Sequence, residues 1–430
     1  MEFAAYSELT NLVHQRFEGK RVPLEVSVEV TRRCPLDCQH CYNNLPMSDH
    51  PARQRELTFE EHVRLLDELV DAGCLWLLYS GGEIFARKDF LEIYREAKHR
   101  GFLITLFTNG TMINEKIADY LAEYRPFAIE ITLYGATRET YEALTQVPGS
   151  FERCMRGIRL LLERKLPLKL KTVPTTINRH EVFAMKRLAE EEFGVEFKFD
   201  SAINPRIDCS QSPLAVRLTP EQAVELDFAD ANRRGDYRQM AEMDLSAPDE
   251  ELPAEQPRER YTCGGGKNGC AIDPYGTMSI CVISHQQGYQ LRGGSFHEGW
   301  DGTLREIRGQ RRTRPSICDR CKIQSLCSMC PANGELENGD PESPVSFHCQ
   351  VAHLRAYALG FSVPEHGDCE CCGSGVLHGE LLQAAARLMA IEPQASSQVA
   401  GKNAPAILNV LQAASGRKSR GCSSCASVNG

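Results

Sequence analysis

The stretch LEVSVEVTRRCPLDCQHCYNN, residues 24–44, joins a strand-like run to three closely spaced cysteines. The run is rich in valine and threonine, which is typical of a strand buried on both faces. Cys34, Cys38 and Cys41 follow it with the spacing C-x3-C-x2-C. A loop this short brings three thiolates onto one cluster, and three ligands leave one iron of a four-iron cluster open. A zinc knuckle is the alternative, although it usually needs four protein ligands and no fourth lies nearby.

Five more strand-like runs follow, and they alternate with helix-like stretches. They are LWLLYS (75–80), FLITLFT (102–108), FAIEITL (127–133), LKLKTV (168–173) and VEFKFDS (195–201). Thr58 with Glu61, and Thr219 with Gln222, fit capping boxes at two helix starts. Six strand–helix units in succession predict an α/β fold with a parallel sheet, a partial (β/α)6 TIM-like barrel. Functional residues are then expected at the carboxyl ends of the strands.

The regular alternation covers residues 24–239, which we predict to be the barrel domain. Residues 240–262 are acidic and proline-rich, which indicates a linker. Residues 263–360 are dense in Cys and Gly, which predicts a C-terminal Cys-rich domain built around metal. Residues 361–430 are predicted to be a Cys-containing tail. Residues 1–23 are an N-terminal extension, too short for a separate peptide-recognition domain.

Composition excludes several classes of protein. The 430 residues carry a net charge of -9, which argues against a nucleic-acid or anionic-membrane partner. No apolar run is long enough to cross a bilayer, and no signal-peptide pattern is present. The 19 cysteines therefore indicate metal ligands in a reducing cytoplasm rather than disulfides. Cys74, Cys154 and Cys209 stand alone and are expected to be core thiols.

The cysteine loop at the end of the first strand resembles that of the radical S-adenosylmethionine (SAM) enzymes, with His40 in place of the usual aromatic residue. The resemblance spans residues 24 to about 235. It extends to a Gly-Gly-Glu turn after the second strand, a Thr-Asn-Gly turn after the third, and a hydroxyl at the end of the fourth. It implies a [4Fe–4S] cluster on the three cysteines and a SAM site formed by His40, Gly81, Gly82, Glu83, Asn109 and Thr132. Taken alone, each of these short motifs is also an ordinary turn or strand end.

One family feature is missing. Many radical SAM enzymes place an arginine shortly after the fourth strand, where it holds the SAM carboxylate. The matching region here carries Thr145, so the group that neutralises this carboxylate is open, with Arg153 as one candidate.

The later cysteines resemble the SPASM extension of radical SAM peptide-modifying enzymes. The pattern departs from it between Cys327 and Cys330, which are separated by two residues where the family usually has three. The resemblance implies two auxiliary [4Fe–4S] clusters, held by Cys263, Cys270, Cys281 and Cys330, and by Cys318, Cys321, Cys327 and Cys349. Four ligands each suit electron transfer. Two interlaced zinc sites are the alternative.

The resemblance implies reductive cleavage of SAM to a 5′-deoxyadenosyl radical, which takes a hydrogen atom from a substrate. We expect a peptide or protein that becomes oxidised or crosslinked, and an electron donor such as flavodoxin or ferredoxin. Sulfatase maturation is disfavoured because Val282 stands where those relatives carry an aspartate as base. The alternatives are a radical SAM enzyme acting on a small molecule such as a tetrapyrrole, and a non-catalytic iron–sulfur or zinc protein.

Two questions stay open at this point. The sequence identifies no catalytic side chain beyond the cofactor site. The tail cysteines have no family counterpart, and they suit metal binding, a thiol relay, a substrate mimic or a flexible tail equally; they are Cys369, Cys371, Cys372, Cys422 and Cys425.

Overall fold

The computed structural model describes residues 15–247, 258–284 and 288–394, together with Thr10, Leu12 and Val13. Its main feature is a run of six parallel strands that lie side by side in chain order. They are β1 (Glu25–Glu29), β2 (Trp76–Ser80), β3 (Leu103–Thr108), β4 (Ala128–Thr132), β5 (Leu168–Thr172) and β6 (Phe197–Phe199). Each lies within a predicted run, and the parallel α/β barrel is confirmed.

Helices separate the strands and continue beyond them. They are α1 (His50–Arg55), α2 (Phe59–Asp71), α3 (Phe90–His99), α4 (Glu115–Glu123), α5 (Arg138–Thr145), α6 (Ser150–Glu163), α7 (Val182–Arg187), α8 (Pro220–Ala229), α9 (Ala231–Ser246), α10 (Phe296–Glu298), α11 (Arg305–Arg308), α12 (Pro331–Asn338), α13 (Ser346–Ala358) and α14 (Val376–Met389). The capping boxes at Thr58 and Thr219 are confirmed, since both hydroxyls accept from the backbone three residues on. No helix among the described residues is long and apolar enough to span a bilayer.

Side chains along the barrel strands alternate between two environments. One face packs against the helices through apolar residues at most 1% exposed: Val26, Val28, Leu77, Tyr79, Ile104, Leu106, Ile129, Ile131 and Leu170. The other face, which we call the lumen, carries charged and polar residues at the alternate positions, among them Glu29, Thr105, Glu130, Thr132, Lys171 and Lys198. A parallel sheet that keeps polar groups on one face has room there for a ligand.

The C-terminal domain shares its sheet with the barrel. β7 (Gly269–Ile272) pairs in parallel with β1, and β8 (Thr277–Ser279) and β9 (Tyr289–Gln290) follow in antiparallel order. β1 is therefore paired on both edges, with β2 on one side and β7 on the other.

Two predicted boundaries differ from the structure. Residues 240–246, assigned to the linker, continue α9, because Asp230 caps that helix and helix-forming Met, Ala, Glu and Leu residues follow. Residues 248–257 of the linker lie outside the described residues. The tail is structured as far as residue 394: α14 buries Leu381 and Leu388, and the three cysteines at 369, 371 and 372 are each only 4% exposed. Cys422 and Cys425 lie outside the described residues.

A buried carboxylate joins the barrel helices to the C-terminal domain. Asp227 on α8 is 1% exposed and accepts two hydrogen bonds of 2.7–2.9 Å from Arg233 and two more from Arg355 of α13. Arg355 also donates to the carbonyl of Leu326 at 2.7 Å and lies over the ring of Tyr237. Every acceptor site of this carboxylate is used, so the two guanidinium groups depend on it.

Replacing Asp227 by asparagine removes the charge and leaves buried arginine groups unpaired. We expect the free energy of unfolding to fall by about 3–5 kcal/mol. Chemical denaturation followed by circular dichroism measures this. The matched control is Glu221→Gln, which weakens an exposed pair with Arg387 and should cost less than about 1 kcal/mol. Equal losses in the two variants would contradict the bridging role.

Candidate metal and SAM site

The cysteine loop starts where β1 ends. Burial raises the pKa of the Cys34 thiol to about 12, and the charges of Glu83 and Cys41 add to this. Burial also raises the pKa of Cys38 well above its ordinary value, with further contributions from Cys41 and Cys34. The three thiols thus lie close enough to repel one another as thiolates. A bound metal supplies the positive charge that such a group needs.

The spacing of these thiols bears on whether the loop holds an iron–sulfur cluster or a single metal ion. Ligands around one tetrahedral zinc lie roughly 3.5–4 Å apart. The described residues contain one group of at least three Cys, His, Asp or Glu side chains whose ligand atoms all lie within 4.8 Å of one another. Cys34, Cys38 and Cys41 do not belong to this group. At least one of the three distances between these sulfurs is therefore longer than 4.8 Å. A multi-iron cluster spreads its thiolates around several metals and accommodates such distances.

The Gly-Gly-Glu turn lies directly against the cysteine loop. The amide of Gly82 donates to the carbonyl of Thr31 at 2.7 Å, and that of Glu83 donates to the carbonyl of Arg33 at 3.0 Å. A β-carbon on Gly82 would lie 2.4 Å from the carbonyl oxygen of Arg32, and one on Gly81 would lie 2.1 Å from that of Thr31. Gly81 also has a φ of +140°, which side chains rarely adopt. Only glycine permits this approach.

Glu83 connects the second and third strand ends. Its buried carboxylate accepts from the hydroxyl of Thr108 at 2.7 and 2.9 Å and from the amide of Asn109 at 2.8 Å. Burial raises its pKa, while these hydrogen bonds lower it in part. The side-chain nitrogen of Asn109, Nδ2, in turn lies 3.5 Å from the Cys34 sulfur. The structure thus brings three of the predicted motifs together at Cys34.

His40 and Thr132 lie near the same loop. The His40 ring contacts Tyr134 with centroids 5.4 Å apart, and burial lowers its pKa to about 4, so it is neutral. Its buried Nδ1 has no hydrogen-bond partner among the described residues, which marks a place for a ligand's polar atom. Thr132 ends β4 and is partly exposed. Tyr134, which sequence analysis did not single out, hydrogen-bonds to Cys38.

Residues 28–224 match the family model of the radical SAM superfamily. Residues 28–224 are a radical SAM domain. Domains of this family use SAM with a [4Fe–4S] cluster, and the three loop thiols, the glycine cradle and the unpartnered His40 nitrogen fit both groups.

Relatives extend the likeness beyond this domain. The chain is 27% identical over 333 residues to the AdoMet-dependent heme synthase of Methanosarcina barkeri, covering 74% of this chain and 94% of that one. It is 29% identical over 294 residues to the PqqA peptide cyclase of Ruegeria pomeroyi, covering 66% and 73%. Streptococcus suis SuiB bound to precursor peptide SuiA superimposes with a TM-score of 0.59 at 17% identity, covering 80% and 81%, which shows a shared fold.

An arginine that sequence analysis missed supports the cysteine loop of the radical SAM domain. Arg206, after β6, donates to the carbonyl of Cys41 at 3.2 Å and to the side chain and carbonyl of Asn44 at 2.7 and 2.8 Å. The sequence candidate for the SAM carboxylate, Arg153, donates to the Pro148 carbonyl at 3.4 Å. Thr145, which stands in place of the family's arginine, is buried with its hydroxyl 2.8 Å from that of Ser150. No pattern in the sequence relates residue 206 to the loop.

Glu29, the last residue of β1, is a second residue that sequence analysis did not single out. It accepts from Tyr42 at 2.7 Å and Asn43 at 2.6 Å, and burial raises its pKa. It lines a cleft together with Arg32, Asp273 and Val282. A carboxylate thus lies beside the position where sulfatase-maturing relatives carry their aspartate. The signal in the sequence is a glutamate at the carboxyl end of the strand that leads into the cysteine loop.

Three lumen residues occupy one row across neighbouring strands. In the register of the sheet, Thr132 of β4 lies opposite Lys171 of β5, and Lys171 lies opposite Lys198 of β6. Both lysines donate to Glu130, at 3.0 and 2.9 Å. Burial lowers the pKa of Lys171 to about 8, although Glu130 opposes this. Two cations against one carboxylate leave a net positive charge at the level of the SAM-site threonine.

The later cysteines fall into two groups. Cys330 is close enough to Cys281 and Cys263 for their charges to raise its pKa, in addition to burial. Burial raises the pKa of Cys327 to about 12, with contributions from Cys321 and Cys318, and the same neighbours act on Cys349. None of these seven belongs to the compact single-ion group, so their spacing also fits clusters better than zinc.

Cys270 differs from its predicted placement. It lies within β7 opposite Val26, and strand alternation directs it to the helix-facing side of the sheet. Burial raises its pKa, with Cys74 and Arg21 as the charged neighbours rather than the other three cysteines of its predicted set. The first auxiliary group therefore has three thiols among the described residues. The spacing of cysteines in the sequence does not reveal which face of a strand each occupies.

Replacing Gly82 by alanine should displace the cysteine loop, because the new methyl group meets two backbone carbonyls within 2.6 Å. We expect loss of about four irons per chain after anaerobic reconstitution and loss of SAM binding, measured by iron analysis and equilibrium dialysis. Gly235→Ala is the matched control, since nothing lies within 4 Å of its β-carbon position. Full iron content in Gly82→Ala would contradict the cradle.

Proposed function

We propose that the protein oxidises a carboxylate-bearing peptide bound in the barrel lumen. In this proposal Cys34, Cys38 and Cys41 hold the [4Fe–4S] cluster, and His40, Gly81, Gly82, Glu83, Asn109 and Thr132 line the SAM site. When bound, the cluster supplies the electron that splits SAM into methionine and the 5′-deoxyadenosyl radical, which takes a hydrogen atom from the substrate. The chain's own residues then decide which substrate reaches that radical and how it is oriented.

The main support for this proposal is the position of two lumen lysines, Lys171 and Lys198. Register places Lys171 one strand spacing, about 5 Å, from Thr132, and Lys198 one further. Glu130 neutralises one of the two cations, so the other is available to an anionic group of the substrate. A carboxylate held there lies beside the SAM site, which positions a neighbouring carbon for hydrogen abstraction.

The open barrel supports a chain-like substrate. The sheet ends at β6, whose outer edge has no partner strand among the described residues. An extended peptide can reach the lumen through this gap, as a strand edge or a free segment. The relationship to the PqqA peptide cyclase of Ruegeria pomeroyi favours the same class of substrate.

A tetrapyrrole is the second candidate. The AdoMet-dependent heme synthase aligns with this chain over 94% of its own length, more than the peptide cyclase does. Porphyrin precursors carry propionate groups, which the lumen lysines would bind by the same charge pairing. The two candidates therefore share a binding chemistry and differ in the molecule that supplies the carboxylate.

The two later cysteine groups are proposed to hold auxiliary clusters. Cys318, Cys321, Cys327 and Cys349 give the four thiolates that close a four-iron cluster. Cys263, Cys281 and Cys330 give three, which leaves a coordination position for a substrate or another ligand. Such clusters would remove the electron that remains on the substrate after hydrogen abstraction. A flavodoxin or ferredoxin is the proposed reductant of the SAM cluster.

Replacing Cys34, Cys38 and Cys41 together by alanine should remove about four irons and abolish dithionite-dependent formation of 5′-deoxyadenosine. Iron analysis and chromatography of the anaerobic reaction measure both. Cys209→Ser, which changes an exposed cysteine outside the three groups, should leave both unchanged. Preserved SAM cleavage in the triple variant would refute the cluster assignment, and zinc without iron in the reconstituted wild type would refute an enzyme of this type.

Replacing Lys171 or Lys198 by methionine should abolish substrate oxidation while SAM cleavage without substrate continues, because Glu130 then neutralises the remaining lysine and no cation is left for the substrate carboxylate. The enzyme is co-expressed with each short peptide encoded beside its gene, and peptide mass is read for loss of hydrogen. Iron coproporphyrin III is tested in parallel. Lys169→Met is the control, since this lysine lies nearer the start of β5, two residues before Lys171, and pairs with Glu196. A modified porphyrin with unmodified peptides would show that the substrate is a tetrapyrrole. Equal effects in all three lysine variants would show that Lys171 and Lys198 do not bind the substrate.

A further inference from the structure

A compact group of four potential metal ligands lies beside the second of the later cysteine groups, where His366 hydrogen-bonds to Cys321 and Cys369 neighbours Cys349. His353 is on α13, and His366, Cys369 and Cys372 lie on the segment between α13 and α14. One ligand atom from each, a ring nitrogen or a sulfur, lies within 4.8 Å of all the others. All four side chains are buried, between 2% and 5% exposed. Sequence analysis left the two cysteines unassigned and did not consider either histidine.

The distances within this group suit one tetrahedral ion. The Cys369 sulfur lies 3.8 Å from Nε2 of His353, and the Cys372 sulfur lies 3.3 Å from Nδ1 of His366. Zinc bonds of about 2.3 Å to sulfur and about 2.0–2.1 Å to nitrogen place such pairs roughly 3.5 Å apart. The two imidazole rings lie nearly parallel, with centroids 5.8 Å apart. Small side-chain adjustments would complete the coordination.

Backbone carbonyls orient both histidines. Nδ1 of His353 lies 2.8 Å from the carbonyl of Cys349, and Nδ1 of His366 lies 3.0 Å from that of Pro364. A carbonyl only accepts, so Nδ1 of His353 carries the proton and its Nε2, 3.8 Å from the Cys369 sulfur, has a free lone pair. In His366, Nδ1 lies near both the Pro364 carbonyl and the Cys372 sulfur. The His353 arrangement is the one by which metal-binding histidines are usually held.

We propose that His353, His366, Cys369 and Cys372 form a structural zinc site. Two thiolates and two imidazoles in a closed, buried tetrahedron are the ligand set that zinc prefers, and Cys369 and Cys372 have the C-x2-C spacing. The same compactness disfavours a four-iron cluster, whose thiolates must spread around the metals. The ion would fasten the segment before α14 to α13, one helical turn beyond Cys349.

Cys371 provides a matched control within the same loop. It is as buried as its neighbours, but its carbonyl is what holds the loop: it accepts from the Tyr357 hydroxyl at 2.9 Å and lies 2.9 Å from Nδ1 of His378. Its thiol is not one of the four grouped ligands. Serine at this position therefore preserves both the loop contacts and the proposed zinc set.

The test measures zinc and iron in the full-length, cluster-loaded protein purified without oxygen. We expect about one zinc per chain in the wild type and in Cys371→Ser, and none in the double variant Cys369→Ser with Cys372→Ser, at unchanged iron. His366→Ala should lose the zinc, and His366→Cys should retain it because Cys3His is also a zinc set. Zinc absent from the wild type, zinc retained in the double variant, or iron lost in its place would each overturn the proposal.

X-ray absorption at the zinc edge needs no variant and guards against misfolding of the substituted proteins. The expected first shell has two sulfurs at roughly 2.3 Å and two nitrogens at roughly 2.0–2.1 Å. A shell of three or four sulfurs would place the zinc in one of the other cysteine groups and refute the assignment. Neither readout depends on SAM cleavage, so the result is independent of the proposed function.

Discussion

The double pairing of β1 is the constraint on which the rest of the structure depends. This strand is bound in parallel by β2 on one edge and by β7 on the other, and the cysteine loop leaves its carboxyl end. The barrel, the C-terminal domain and the metal site therefore share one strand. The loop is further fixed by Gly81 and Gly82, which approach its backbone too closely for any side chain. Its geometry is thus set by backbone contacts rather than by its own sequence.

Thiol spacing sorts the cysteines by chemistry. Cys34, Cys38 and Cys41 lie close enough for their charges to interact, but neither they nor the two later groups have all their ligand atoms within 4.8 Å of one another. Cys369 and Cys372, with two histidines, lie much closer. A cluster spreads its thiolates around several irons, whereas one zinc gathers its ligands around a point. One chain can therefore keep iron and zinc sites apart by distance as well as by ligand type.

The sequence predicts well what depends on local pattern. All six barrel strands and two capping boxes are where apolar runs and hydroxyl–acid spacing indicate. The sequence says less where tertiary placement decides: strand pairing puts Cys270 opposite Val26, and α14 packs Leu381 and Leu388 of the tail into the core. Arg206, Glu29 and the lumen lysines reach the site through contacts between distant parts of the chain. Ligand roles for the cysteines rest on the resemblance, and geometry can be compared with it only once the fold is known.

The Asp227 bridge has a consequence for electron movement. It joins α8 of the barrel to α13, the helix that carries both Arg355 and Cys349. The rate of electron tunnelling between two metal centres falls steeply with the distance between them, so a fluctuating gap would make transfer erratic. By fixing α13 against the barrel, a single buried carboxylate would hold the proposed SAM cluster and the second auxiliary cluster at a constant separation. An ion pair whose arginine neighbours Cys327 would then keep the distance for electron transfer constant.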